Sequence, residues 1–463
     1  MKKPIHLVAA LLVIGSAPLY SQEPQSSPSP DSSPPPDKYV SREEYDKLKG
    51  EMEALKVQMA ELIKKQEATA PAEGPAPNKE PSDGKQVVST TTSQNEIDEL
   101  RDQLAKVKET AESSRPGTTH FLLTGYGFAG FEDRHGEKST FSAGLSPIFL
   151  WQLSDRLFFE SELELELNDN ETELNLEYAQ LVYFLNDYIT IGAGKFLSPS
   201  NIFGERFHAA WINKLPDQPL AVGEEDGLLP FSEVGAEVRG GIPIGPVTLL
   251  YAAYVSNGPR LNTGADDAGS LNFENFTDTN DNKAVGGRVG VRILPELEAG
   301  YGIQYARVDA SGTSSHDASV LLQAVDLSYT RDIDWLKGGI NVLGEWAWSQ
   351  VSRLTYDPDG SMGFGPVTFS NHRNGGYVQL AYRPSKLKVP VIDKLELVGR
   401  YDRLDSPSNA PGAFDERRWT LGLNYWLGGS TVIKAAYEWG DRKPTGSDWE
   451  DANAFLLQAA MGF

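Results

Sequence analysis

From Phe121 to Phe463 the chain runs in segments of about ten residues in which apolar and polar side chains alternate, and this period of two constrains the fold more than any other feature. The last segment shows it most plainly. Phe455, Leu457, Ala459, Met461 and Phe463 fall on one face of a strand, while Leu456, Gln458, Ala460 and Gly462 fall on the other. A chain end is ordinarily polar and frayed. An apolar face there suits a sheet that closes on itself with its outside turned to lipid. The competing arrangement is a C-terminal edge strand on a soluble sandwich, and the rest of the chain must separate the two.

The alternation predicts strands at 121–131, 142–153, 156–167, 173–185, 188–196, 231–241, 247–256 and 284–293, then at 296–308, 318–329, 335–350, 373–383, 393–404, 415–427, 430–441 and 451–463. That is about sixteen, an even number as a single-chain bacterial barrel requires. The junctions discriminate further. Ser154-Asp155, Asn186-Asp187, Leu294-Pro295, Arg331 to Asp334 and Gly428-Gly429 are tight turns, and they alternate with long polar stretches at 197–230, 257–283, 351–372 and 405–414. Short turns at one rim and long loops at the other belong to an outer-membrane barrel, and a sandwich has no reason to show them. Trp151, Tyr183, Tyr188, Tyr329, Trp335, Tyr382, Trp426 and Phe463 lie near the short turns, as one interfacial girdle would. Trp346, Trp348, Tyr401 and Trp439 lie toward the other rim.

The first part of the chain has a different character. Lys2 and Lys3, an apolar run from Ile5 to Gly15 and small residues around Ser16 and Ala17 predict a signal peptide over 1–21. Residues 22–38 form a Pro/Ser-rich linker. Tyr45, Leu48, Met52, Leu55, Met59 and Leu62 then alternate spacings of three and four, the seam of a coiled coil over 39–66. A disordered linker at 67–94 separates it from a second helical segment at 95–115, where Ile97, Leu100, Leu104, Val107 and Ala111 repeat the seam. The barrel would occupy 118–463. These seams predict self-association without fixing the number of chains.

Composition removes several function classes. There is no Cys, only six His, and 65 acidic against 42 basic residues for a net charge of −23. Nucleic acid is therefore not an expected partner, and no metal ligand set or cofactor is expected. No Gly-x-Ser-x-Gly elbow is present, and His120, His135, His208, His316 and His372 are scattered among predicted loops and strand ends, so no enzyme is expected.

Sixteen strands leave room for an aqueous lumen, and function depends on what obstructs it. The junction 197–230 carries Ile202, Phe203, Phe207, Trp211, Ile212, Leu215 and Leu220, apolar bulk that a loop in water does not favour. It is expected to fold inward as a constriction, with Phe203, Glu205, Arg206, Trp211 and Lys214 at the narrowing, the alternative being an external lid or a subunit contact. Alternation turns Glu160, Glu162, Glu164, Glu166 and Glu177 toward the interior, and also Arg239, Arg288, Arg292, Arg400, Arg418 and Lys434. Opposed acidic and basic walls would orient charged solutes. The acidic clusters in the outer loops, such as Glu224-Glu225-Asp226, would attract cations or bridge through them to a charged lipid surface, or else simply keep exposed loops solvated.

Signal, short coiled coil, linker and porin-sized barrel together resemble the DcaP-like trimeric porins and the wider phosphate-selective porin O and P family. The local likeness is Gly192 to Glu205, where Gly194-Lys195-Phe196 runs into Pro199 and Phe203-Gly204-Glu205. The resemblance implies a homotrimer that takes up small anionic solutes. The family's anion-binding Arg and Lys are not matched one by one, and the Glu160 to Glu166 row departs from a purely basic lumen.

The expectation is thus an all-β transmembrane barrel of about 16 antiparallel strands acting as a passive porin in the bacterial outer membrane, with its coiled coil in the periplasm. Its partners would be further copies of itself, outer-membrane lipid and lipopolysaccharide, the barrel assembly machinery through Phe463, and small hydrophilic solutes. The alternative is a structural anchor whose coiled coil tethers in the periplasm.

Overall fold

A computed structural model of the protein describes residues 120–463 apart from 169–170, 225–226, 275 and 278–279. The expected signal peptide, both linkers, the coiled coil and the second helical segment lie outside the described residues. Sixteen long strands follow in order. They are β1 Phe121–Arg134, β2 Thr140–Gln152, β3 Leu157–Asn168, β4 Glu171–Asn186, β5 Ile189–Leu197, β6 Ser232–Ile244, β7 Val247–Ser256 and β8 Ala284–Leu294. The second half comprises β9 Leu297–Asp309, β10 Asp317–Ile333, β11 Gly338–Tyr356, β12 Val367–Arg383, β13 Leu395–Asp405, β14 Phe414–Trp426, β15 Thr431–Pro444 and β16 Ala454–Gly462.

Each strand pairs antiparallel with the next, and β16 returns to pair with β1 from Tyr126↔Gly462 to Arg134↔Ala454. The sheet is closed, which leaves no unpaired edge. The sixteen expected strands are all present, with most ends within a few residues. The largest differences are at β11 and β12, which extend toward each other and shorten the expected 351–372 loop to 357–366. Ser352, Arg353 and Thr355 are polar on both faces, and the register shifts between Val351 and Leu354, so the alternation is interrupted although the pairing continues.

The walls are turned inside out relative to a soluble protein. On β14, Trp419, Leu421 and Leu423 are exposed while Arg418, Thr420 and Asn424, on the opposite parity, are buried. Tyr401, Trp419 and Trp439 stand side by side across β13, β14 and β15 as an outward aromatic row near the long-loop rim. Trp151, Tyr183, Tyr188 and Trp335 are exposed at the opposite rim as expected. Trp426 is not among them. It points inward, 8 % exposed, and its Nε1 donates to Glu396 at 3.0 Å.

The interior is filled in part by the 198–231 segment between β5 and β6. It contains one short helix, α1 Ile202–Arg206, capped by the Asn201 side chain, which accepts from the Gly204 N–H at 2.9 Å. Phe203, Val222, Leu228 and Leu229 pack against Val320, Leu322, Leu343 and Tyr377 of β10 to β12. Leu215 packs with Val398, Ala436 and Leu456 of β13, β15 and β16. Full burial of a Phe or Leu contributes about 1.5–3 kcal/mol, so these contacts answer the apolar surplus of the segment.

Candidate functional site

Polar contacts fix the segment as firmly as the apolar ones. Glu345 of β11 accepts from the Ile202 and Phe203 N–H groups at 3.0 Å each, a carboxylate on the first turn of α1. Arg206 reaches Glu298 of β9 at 2.9 Å, and Lys214 reaches Glu396 of β13 at 2.9 Å. The Asp217 carboxylate receives Arg400 of β13 and Arg418 of β14 at 2.6 Å each. Lys434 of β15 donates to the carbonyls of Ala210 and Leu215 and to the Gln458 side chain. Burial alone would raise the Asp217 carboxyl, but the two guanidiniums outweigh it and hold its pKa at about 2.

Most of these anchors lie on β9 to β16. Against β1 to β8 the segment leaves a cavity of about 190 Å³. Arg206, Arg239, Arg288 and Arg292 line it together with Glu160, Glu162 and Glu205, and Tyr126, Tyr178 and Trp211 complete the wall. Glu205 on the segment pairs with both Arg206 and Arg239. His208 lies between the rings of Tyr126 and Phe231, and its Nε2 is 3.7 Å from Glu162 Oε1. Burial alone would lower the imidazole pKa, but the Glu162 carboxylate reverses that and holds it above its usual value.

The sequence-selected residues therefore separate into three groups. Arg239, Arg292, Glu160, Glu162, Glu205, Arg206 and Trp211 meet at the cavity, with Arg288 reaching it from its pairs with Glu298 and Asp326. Arg400, Arg418 and Lys434 are covered by the segment and engaged in holding it. Phe203 and Lys214 serve the same anchoring, while Glu164 and Glu177 sit apart from the cavity, close to Glu224. Glu166 is on the same strand face.

Sequence reasoning missed the counter-charges Asp217, Glu298, Glu345 and Glu396. Three of them were detectable, because each is a carboxylate on the inward parity of an otherwise apolar strand, as in Gly344-Glu345-Trp346.

No family model and no curated protein matches the sequence. Solved structures do share the fold. OprB of Pseudomonas putida is 10 % identical and superposes with a TM-score of 0.50 over 80 % of this chain and 97 % of that one. The anion-selective porin of Comamonas acidovorans is 12 % identical, with a TM-score of 0.48 over 74 % of this chain and 99 % of that one. The outer membrane channel DcaP of Acinetobacter baumannii is 15 % identical, with a TM-score of 0.46 over 74 % and 97 %. At such identities the likeness bears on the barrel alone.

The charged groups of the cavity pair in part with one another, Glu205 with both Arg206 and Arg239.

Proposed function

We propose that this chain is a bacterial outer-membrane porin through which small hydrophilic solutes diffuse, with a preference for anions, past a channel narrowed by the 198–231 segment. The observation that carries the reading is the orientation of that segment. Its apolar side packs on one half of an interior wall, and its charged side faces a cavity with groups of both signs, inside a barrel whose outside is apolar. Four guanidiniums against three carboxylates in the lining support the anion preference. The wider proposal is a homotrimer joined in part by the N-terminal seams, contacting lipopolysaccharide at the long-loop rim and presenting Phe463 to the assembly machinery. Family membership among the DcaP-like porins belongs to the same proposal.

Single-channel recording in planar bilayers tests it, with the reversal potential measured across a salt gradient. Discrete conductance with an anion-selective reversal is expected, and native mass spectrometry should give three chains per particle. Absence of conductance would favour the anchor reading, and a cation-selective reversal would remove the anion preference. In an Arg239→Ala/Arg292→Ala variant the selectivity ratio should move toward cations. A unit charge about 8 Å from a passing ion contributes about 0.5 kcal/mol in a water-like dielectric, or about twofold in the ratio for each charge.

A further inference from the structure

We propose that His208 of the inward segment is a specificity-determining residue of the channel, its imidazolium masking the Glu162 charge of the lining so that the anion preference weakens as pH rises.

The geometry of the ring fixes where its proton must go. His208 Nδ1 lies 2.6 Å from the Gly204 carbonyl oxygen, which can only accept, so Nδ1 carries a hydrogen. In the neutral ring Nε2 is then a bare acceptor. It faces Glu162 Oε1 at 3.7 Å, and neither atom has a hydrogen-bond partner. Two buried acceptors opposed in this way are costly, because each has given up water for nothing in return. A proton on Nε2 turns the same contact into an ion pair, with the ring able to donate from both nitrogens. The two side chains are 8 % and 2 % exposed, yet both residues line the cavity, so a proton can reach them from the lumen.

The surroundings of the ring are acidic. Besides Glu162 of β3, the carboxylates of Glu177 on β4 and Glu224 on the segment act on it. Tyr126 of β1 meets it edge-on at 6.2 Å between ring centres, and Phe231 closes another side. The phenols of Tyr126 and Tyr178 also reach the Glu162 carboxylate, and still leave its Oε1 without a donor. Tyr178 owes its position to a departure from strand geometry. Glu162 faces Tyr178 and Leu163 faces Leu176, so Glu177 is the extra residue of a β-bulge and Tyr178 turns inward after it. Arg206, two residues from the histidine, is engaged by Glu205 and Glu298. Burial opposes the charged ring, but the carboxylates outweigh it and hold the imidazole above its ordinary 6.5. The sign is definite. Masking is present below that ordinary value and is lost as pH rises through the raised one.

This deepens the porin reading and rests on it. With His208 protonated, Glu162 is neutralised, and the four guanidiniums of the lining face the charges of Glu160 and Glu205. Without that proton the Glu162 charge is restored beside the path, and cations gain.

The reversal potential across a salt gradient is measured in planar bilayers for the parent, H208Q and H372Q, the last changed at an exposed position on β12. The anion-to-cation permeability ratio of the parent should fall about twofold from pH ~6 to pH ~9, the effect of one unit charge near the path. H208Q should show the parent's high-pH ratio at both values, and H372Q should respond as the parent does. His208 is buried and its variant can misfold, so folding is checked by heat-modifiable gel mobility, and the imidazoles of histidine-labelled protein in detergent are titrated by NMR. One ring should titrate above the ordinary value, and E162Q should lower it. A conducting parent whose ratio does not change with pH overturns the inference and leaves the porin reading standing. So does a folded H208Q that keeps the fall, or the absence of any ring titrating above the ordinary value. Absence of conductance at every pH would instead remove the porin reading, and this inference with it.

Discussion

Asp217 shows how much of the interior can depend on one side chain. It lies between Arg400, which is fully buried, and Arg418, and removing one member of such a set strands charges away from water at a cost of about 3–5 kcal/mol. Asp217→Asn should therefore release the inward segment, seen as protease cleavage within 198–231 that the parent resists, and equal resistance would show the latch is dispensable. The pH dependence has a definite sign. The folded carboxyl titrates at about 2 against an ordinary 3.8, so its contribution is complete above the ordinary value and is lost as pH falls through about 2. Pepsin should leave the segment intact near pH ~4 and cut it near pH ~2. At this scale the sequence was only partly legible. Parity along the strands found Arg400, Arg418 and Lys434, but a loop carboxylate has no period, and Asp217 was not visible. Trp426 was misplaced because nearness to a turn was weighed above parity. Leu421, Leu423 and Leu427 all face outward, so Trp426, one residue out of step, faces inward.

Strands were legible because each carries its own alternating signal, and their ends blur where that signal is interrupted. The Gly194-Lys195-Phe196 stretch on β5 has a local cause. Gly194 has φ +131°, and a Cβ there would approach the Ala179 carbonyl oxygen to 2.2 Å. Phe196 beyond it is completely buried, edge-on to Tyr254 at 5.9 Å between ring centres. Gly194→Ala should lower stability by about 1–3 kcal/mol through backbone strain and the clash, measured by urea unfolding of the barrel in detergent. An unchanged midpoint would mean that β4 yields without cost. The bulge at Glu177 was hidden for the opposite reason. Strict alternation through Leu174 and Leu176 turns Glu177 inward correctly, but it would turn Tyr178 outward, and only the extra residue brings Tyr178 to the cavity.

The barrel as a whole was legible from the rhythm of short and long junctions, whereas the partition of its interior was not, because no one-dimensional pattern records which wall a loop leans on. Closure joins residues 339 positions apart. The Phe463 N–H and carbonyl pair with Gly125 at 3.0 and 3.2 Å, and the Thr124 hydroxyl donates to the same carbonyl. Deleting residues 454–463 would bare β1 and β15 together, and the expected outcome is complete loss of the heat-modifiable folded band rather than a smaller barrel. The unequal seating of the inward segment has a wider consequence. Because β9 to β16 carry its anchors while β1 to β8 carry most of the free surface of the cavity, the two halves are open to change on different terms. Substitutions along β1 to β8 can rewrite what the lumen favours while the segment keeps its seat, and those on β9 to β16 put the seat itself at risk. A library confined to the first half should yield many folded channels of altered preference, and one confined to the second should yield few.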